Sequence, residues 1–328
     1  MPPPRIKSTC YPGGLSIRRR FPLETNGLNT ETPAVHWKKV TLAGVGLLGG
    51  SLGMAMRERG LATEVVGYVR REASVVECLK QGAVTSATLD LAKAVDGADL
   101  VVLCTPIAQM EGLARQLIPM LSKGTLVTDV GSVKGTVVRG LSRIFKETGI
   151  HFVGSHPMAG AEKTGVRAAR ADLFKNAVCV VTPIRSSKEA AVKKIELLWK
   201  SVGCRVLSLS PGEHDVLVSR SSHLPHVLAA LLTNLVLDPG ARPEQQALCA
   251  NGFRDSTRIA SGSAEMWRDI ALANRANLSR ALGSFVRDLE KFRRLMQTGD
   301  PEALLKFFEL AKQRRDAWTS QSDGRSPE

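Results

Sequence analysis

The 328-residue chain has no apolar run approaching the roughly 20 residues of a membrane-spanning helix. It also lacks the cysteine spacing of a disulfide framework or a zinc site. Its six cysteines (10, 78, 104, 179, 204, 249) are scattered without a C-x-x-C pair, which fits a reducing compartment and gives a cytoplasmic expectation. Acids are absent from the first 23 residues, which carry Arg18-Arg19-Arg20. With no apolar h-region and little Ser, this start reads as a disordered extension rather than a signal or transit peptide. There is no concentrated basic, aromatic-rich tract of the single-strand-binding kind. The formal charge of +14 is diffuse: +5 lies in residues 1–39, and the other +9 is spread over 289 residues. It therefore reads as a solvated basic surface, with no specific nucleic acid and no membrane among the expected partners.

What is present is a globular chain, 43% hydrophobic, of a length that suits two domains. Residues 1–36 read as a basic tail, 37–210 as a dinucleotide-binding domain, 211–318 as a helical domain and 319–328 as a flexible tail. The first domain is organised around Val40–Gly53, VTLAGVGLLGGSLG. A short buried strand is followed by Gly44, Gly46 and Gly49 in G-x-G-x-x-G spacing, and then by an apolar helical pattern. One glycine permits the strand-to-helix turn, one lets backbone approach a pyrophosphate, and one lets the helix pack closely on the strand. The helix N-terminus offers free N–H groups to the phosphates, with Leu47 and Leu48 in its first turn. Further strands are expected at 64–68, 100–104, 125–129, 151–154 and 178–182, with helices between them. This pattern predicts a mostly parallel, doubly wound α/β sheet. Ligands bind at the C-terminal strand ends of such sheets, so Gly44–Gly49, Val69–Arg71, Cys104–Pro106 and Asp129–Ser132 should face the cofactor. Thr105, Pro106 and Asp129 join the glycines as cofactor-binding candidates. An NAD site usually places an acid at the end of the second strand. Val69 stands there, followed by Arg70 and Arg71, whose guanidinium groups match a 2′-phosphate, so NADP is favoured over NAD.

Three stretches carry candidate chemistry. In GSHPMAGAEKTG (154–165), His156 precedes Pro157 at the rim of the expected nicotinamide pocket, and an alcohol oxidation needs a base titrating in the range of His. Glu213-His214-Asp215 with Ser222-His223-Leu224-Pro225-His226 forms a second cluster. Without an H-E-x-x-H pattern or a placed third ligand, no metal is expected there, and capping, packing or substrate hydrogen bonding are the better readings. GFRDSTRIASGSAEMWRD (252–269) supplies Arg254, Arg258 and Arg268 as candidate carboxylate clamps, with Asp255 able to orient one of them. Beyond residue 211, helical spacing dominates 213–235, 264–297 and 301–317, and Asp300-Pro301-Glu302 marks a helix start. Long helices with apolar faces beside a Rossmann-type domain imply a homodimer.

Together these stretches resemble the prephenate/arogenate dehydrogenase family of tyrosine biosynthesis. The matching pieces are GVGLLGGSLG (44–53), DVGSVK (129–134), SHPMAGAEKTG (155–165), HDVLVSRSSHLPH (214–226) and TRIA…MWRDI (257–270). The resemblance implies oxidative decarboxylation: hydride leaves the hydroxyl-bearing ring carbon for nicotinamide while the ring carboxylate departs as CO₂. It puts His156 on the 4-hydroxyl as hydrogen-bond partner and base, with Ser132 sharing that hydroxyl. It also puts Arg258 on a substrate carboxylate, His226 in the substrate pocket, and Glu162, Asp255 and Trp267 at the pocket entrance. Many relatives have Asp where this chain has Val69, a departure that supports NADP. The expected reaction is prephenate to 4-hydroxyphenylpyruvate. The alternatives are arogenate to tyrosine, or a non-catalytic dinucleotide-binding regulator.

Overall fold

The computed structural model describes residues 35–161 and 163–322. The expected tail, apart from Val35 and His36, lies outside the described residues, as do Glu162 and residues 323–328. Eight strands form one sheet: β1 (Trp37–Ala43), β2 (Ala62–Tyr68), β3 (Ser86–Thr88), β4 (Leu100–Leu103), β5 (Leu126–Asp129), β6 (His151–Pro157), β7 (Val178–Thr182) and β8 (Arg205–Ser208). Their order is β3-β2-β1-β4-β5-β6-β7-β8, and only the β6–β7 pair is antiparallel. Strand order reverses between β1 and β4, which opens a crevice at their C-terminal ends.

The helices of this half are α1 (Leu47–Glu58), α2 (Glu72–Lys80), α3 (Leu91–Val95), α4 (Ile107–Leu117), α5 (Gly135–Ile144) and α6 (Glu189–Ser201). Alternation along the strands feeds two apolar layers. Val40, Leu42, Leu100 and Val102 pack with Leu52 and Met56 of α1 and with Ile195, Leu198 and Trp199 of α6. Ala43, Val101 and Leu103 face the other way, onto Met110 and Leu117 of α4 and Leu141 and Ile144 of α5. Strands buried on both faces read as continuous apolar runs, which is why β1 and β4 are legible in sequence. The edge strands β3 and β8 escape that reading. β3 has three residues and none fully buried, and β8 is largely exposed, so neither carries an apolar run.

The second half is helical: α7 (Pro211–Val218), a single π-helical turn (Ser219–His223), α8 (Leu224–Val236), α9 (Pro243–Ala247), α10 (Asn251–Thr257), α11 (Ala264–Ala273), α12 (Arg275–Thr298) and α13 (Pro301–Ser322). Ser210 and Glu213 form a capping box at the start of α7. Asp300 Oδ1 accepts from the N–H groups of Glu302 (3.0 Å) and Ala303 (3.1 Å), as its position before Pro301 predicts. Two expectations need correction. The helical stretch 264–297 is two helices, parted at the buried Asn274, whose amide bonds groups outside both. Residues 319–322, expected in a flexible tail, continue α13 to Ser322. Among the described residues no helix is long and apolar enough to cross a membrane.

Candidate active site

Two adjoining cavities open at the C-terminal edge of the sheet. The first, about 880 Å³, is lined by Gly44, Gly46, Arg70, Arg71, Thr105 and Pro106 among others. Gly44 has φ +101°, a left-handed conformation that favours glycine, and a Cβ there would sit 3.1 Å from the Cys104 carbonyl. A Cβ on Gly49 would meet the Gly44 carbonyl oxygen at 2.2 Å, so Gly49 lets α1 lie against the turn. Gly46 caps α1, and nothing lies within 4 Å of the Cβ it lacks. The backbone there is open to a ligand beside a helix end that no side chain caps. The Thr105 hydroxyl is buried without a hydrogen-bond partner among the described residues. An open helix N-terminus and an unmatched hydroxyl fit a dinucleotide's phosphates and polar groups.

Leu47 and Leu48 pack against the apolar core rather than lining this groove, so only their backbone is placed to serve it. Val69 is 6% exposed, with its side chain in the core, while Arg70 and Arg71 are exposed at the groove wall. Asp129 is a correction: its side chain is fully buried beneath the groove as the counter-ion of Lys134, itself fully buried. Asp129 also accepts from the N–H groups of Gly131 (2.8 Å) and Ser155 (3.2 Å), and Lys134 Nζ donates to the Ser155 carbonyl at 2.7 Å. This network ties the loop that carries Ser132 to the strand end that carries His156.

The second cavity, about 380 Å³, brings together Ser132, His156, His223, His226, Arg258 and Trp267. These residues come from the loop after β5, from β6, from the π turn and α8, and from the segment after α10 and α11. His226 stacks on Trp267 with ring centroids 3.4 Å apart. Arg268 is engaged with Asp269, and the exposed Arg254 and Asp255 lie outside the lining, so Arg258 is the one of the three candidate arginines at this pocket.

The feature that sequence reasoning missed lies behind His156. Its Nδ1 is 2.8 Å from His214 Nε2, and His214 Nδ1 is 2.8 Å from Asp215 Oδ1. Asp215 also accepts from the backbone N–H groups of Lys134 (2.7 Å) and Gly135 (2.8 Å), capping α5 from another element. With donors alone around it, the Asp215 carboxylate acts as acceptor only. The proton positions then follow in sequence. His214 donates from Nδ1 and accepts at Nε2, and His156 donates from Nδ1, which leaves Nε2 as its basic nitrogen. Burial, then His214, Lys134 and His223, hold the His156 pKa well below the usual imidazole value, so the ring is neutral at neutral pH. The signal available in sequence was the adjacency His214-Asp215, but nothing in a linear reading connects it to His156, 58 residues away.

Comparisons with known proteins identify the family. Residues 52–208 match the family described as prephenate dehydrogenase, nucleotide-binding domain, and residues 210–310 match prephenate dehydrogenase, dimerization domain. The chain is 34% identical to a prephenate dehydrogenase of Bacillus subtilis over 88% of its own length and 78% of the relative's. It is 32% identical to a cyclohexadienyl dehydrogenase of Zymomonas mobilis, over 88% of this chain and 98% of that one. The structure of a prephenate dehydrogenase from Aquifex aeolicus, in complex with hydroxyphenyl propionate and NAD+, superposes with a TM-score of 0.80 at 31% identity, over 85% of this chain and 98% of that one. The doubly wound fold is thus shared over most of both chains, and the chain belongs to the prephenate dehydrogenase family.

Proposed function

We propose that this protein oxidatively decarboxylates prephenate to 4-hydroxyphenylpyruvate, with hydride transfer to a nicotinamide dinucleotide, in tyrosine biosynthesis. The observation that carries the reading is the chain Asp215–His214–His156. It ends at a pocket that also holds Ser132 and Arg258 and adjoins the glycine-turn groove. A non-catalytic regulator has no use for a buried, neutral imidazole oriented by a carboxylate.

In this reading Gly44, Gly46, Gly49, Thr105 and Pro106 shape the cofactor groove, with the first-turn backbone of Leu47 and Leu48 toward the phosphates. The bound cofactor supplies the hydride acceptor. His156 Nε2 takes the proton of the substrate ring hydroxyl, and its neutral state makes it competent to do so. The imidazolium that forms is stabilised through His214 by the Asp215 carboxylate. Ser132 hydrogen-bonds the same hydroxyl, Arg258 holds a substrate carboxylate, and the His226–Trp267 stack forms a wall of the pocket. Asp255, outside the lining, is assigned to the approach to this pocket.

NADP is favoured over NAD. Val69, apolar and nearly buried, lines the groove where an acid would meet a ribose 2′-hydroxyl, and Arg70 and Arg71 line it just beyond. A homodimer through the helical half is supported by apolar side chains left exposed on α8, α12 and α13, including Leu235 (74%), Leu289, Phe308 and Trp318, and by the dimerization-domain match.

Arogenate is the second substrate to weigh, because a Synechocystis arogenate dehydrogenase shares this architecture, with TM-score 0.73 and 28% identity over 85% of this chain and 99% of that one. The test is the rate of nicotinamide reduction with prephenate and arogenate, each with NAD and NADP. Turnover of prephenate, faster with NADP, is the expected result. No turnover in any of the four combinations by folded, dinucleotide-binding protein overturns the reading.

A further inference from the structure

A cavity of about 670 Å³ opens at the opposite end of the sheet, where β1, β4, β5 and β6 begin. It shares no residue with the linings of the two cavities at the C-terminal edge. Four ammonium groups surround it: Lys38 on β1, Lys123 in the loop before β5, Lys188 just before α6 and Lys194 in the second turn of α6. Among the described residues none of the four makes an ion pair. The lining holds one acid, Asp99, and its Oδ2 accepts from the backbone N–H groups of Lys38 (2.7 Å) and Lys39 (3.1 Å). Glu189, next to Lys188 in the chain, pairs instead with Lys193 at 2.6 Å. His36 is also engaged, with the Gly60 carbonyl at 3.0 Å and the Thr63 hydroxyl at 2.9 Å. His151 lines the cavity half-buried, and burial, then the Lys188 ammonium, lower its pKa. The start of α6 borders the same space through Ala190 and Ala191, and no side chain caps that helix end. Spread over an outer surface, four lysines are solvated charges. Gathered around a concave space with its one acid engaged, they focus a positive potential into it.

We propose that this cavity binds a small organic phosphate carrying at least two negative groups. Lysine ammonium groups beside an uncapped helix N-terminus are phosphate-binding chemistry: the lysines supply point charges and the helix end supplies free N–H groups. Four ammonium groups from three segments of the chain suit a ligand with more than one anionic group. The volume is that of a metabolite site, and a concave wall suits a compact ligand better than a rod-like duplex. The ligand comes from outside the chain. Residues 1–34, which lead into β1, carry five Lys/Arg against two Glu, so by charge they do not complement the cavity. The assignment does not rest on the dehydrogenase reading, because the cavity lies at the strand ends away from the glycine turn and from His156.

The test is calorimetric titration of the full chain with fructose 1,6-bisphosphate as probe, in about 0.15 M salt so that loose surface charges are screened. NADP is kept at saturation, so that the glycine turn is occupied. The bisphosphate should bind more tightly than orthophosphate by about tenfold or more. The double variant Lys123→Ala with Lys188→Ala removes two of the four charges from exposed positions. It should weaken the bisphosphate by about tenfold or more, the size of a lost charged hydrogen bond, with thermal stability in the absence of ligand unchanged. The ring signals of His151 in NMR spectra should shift as the bisphosphate is added to the wild type. Equal affinity in the double variant, or His151 signals that stay fixed while heat is released, would put the phosphate elsewhere and overturn the proposal. Citrate bound as tightly as the bisphosphate would overturn the phosphate assignment. A short DNA duplex held more tightly than the bisphosphate through the same two lysines would make this an open nucleic-acid surface and overturn the small-ligand site.

Discussion

The two cavities at the sheet edge are made of different material. The cofactor groove is largely a backbone object: Gly44, Gly46 and Gly49 lie within six residues, and each acts through the absence of a side chain. The neighbouring pocket is a side-chain object. Ser132, His156, His223, Arg258 and Trp267 span more than a hundred residues and meet only because β5, β6 and the helical half converge. The turn therefore excludes a Cβ at Gly44 and Gly49, whereas the pocket depends on hydrogen bonds that orient its rings. A contiguous motif suffices for phosphates, because a helix end offers its N–H groups wherever it occurs. Proton transfer needs a neutral base of known orientation, and that takes partners from other elements.

Single substitutions at the turn and in the pocket separate the two cavities. The largest effect is expected from Gly49→Val. A Cβ there would stand 2.2 Å from the Gly44 carbonyl oxygen, so the turn must open. Dinucleotide binding, read by fluorescence titration, should be abolished; retained affinity in a folded variant would mean that the close approach is not what shapes the groove. His156→Asn should leave dinucleotide binding intact and reduce turnover by roughly 10²–10⁴-fold, the usual size of general-base loss, in steady-state assays. Unchanged turnover would remove His156 from the role of base. Arg258→Ala should raise KM for substrate by about tenfold to a hundredfold, as expected for a lost charged hydrogen bond, with a smaller change in kcat. An unaltered KM would rule out the clamp. Arg70→Ala with Arg71→Ala should weaken NADP by about tenfold while sparing NAD, in paired titrations. Equal losses for both cofactors would assign the arginines to the shared part of the dinucleotide.

The smallest effect is on stability against pH. His156 and His223 have folded pKa values below the unfolded value of 6.5, that of His223 at about 4. Between those values the unfolded chain binds protons that the folded chain refuses. Stability is therefore full above pH 6.5 and falls as the pH drops toward 4. Thermal melts should show this loss, and His223→Gln should flatten it; an unchanged slope in that variant would mean that other groups dominate the acid response.

The legibility of each part follows from the same contrast. Strands β1, β4 and β5 are visible in sequence because burial on both faces demands continuous apolar residues, and the glycine spacing marks the phosphate turn. The edge strands β3 and β8 carry no such demand and were not legible. Asp129 was misplaced because a polar residue at a C-terminal strand end is expected to face ligand. Here Lys134, five positions on, turns the carboxylate inward to form a buried pair. Asn274 interrupts what reads as one apolar helix pattern, and the reason lies in partners it reaches across the fold, Asp215 and His223.

By itself the sequence determined the order of elements, the phosphate-binding turn and the inventory of histidines and arginines, because these rest on local spacing and backbone freedom. Only the tertiary structure decided which histidines and which arginine of three line the pocket, and which partners orient those rings. Tautomer, charge state and orientation depend on hydrogen-bond partners and on burial. Those partners are supplied by residues distant in the chain, and no local pattern encodes them.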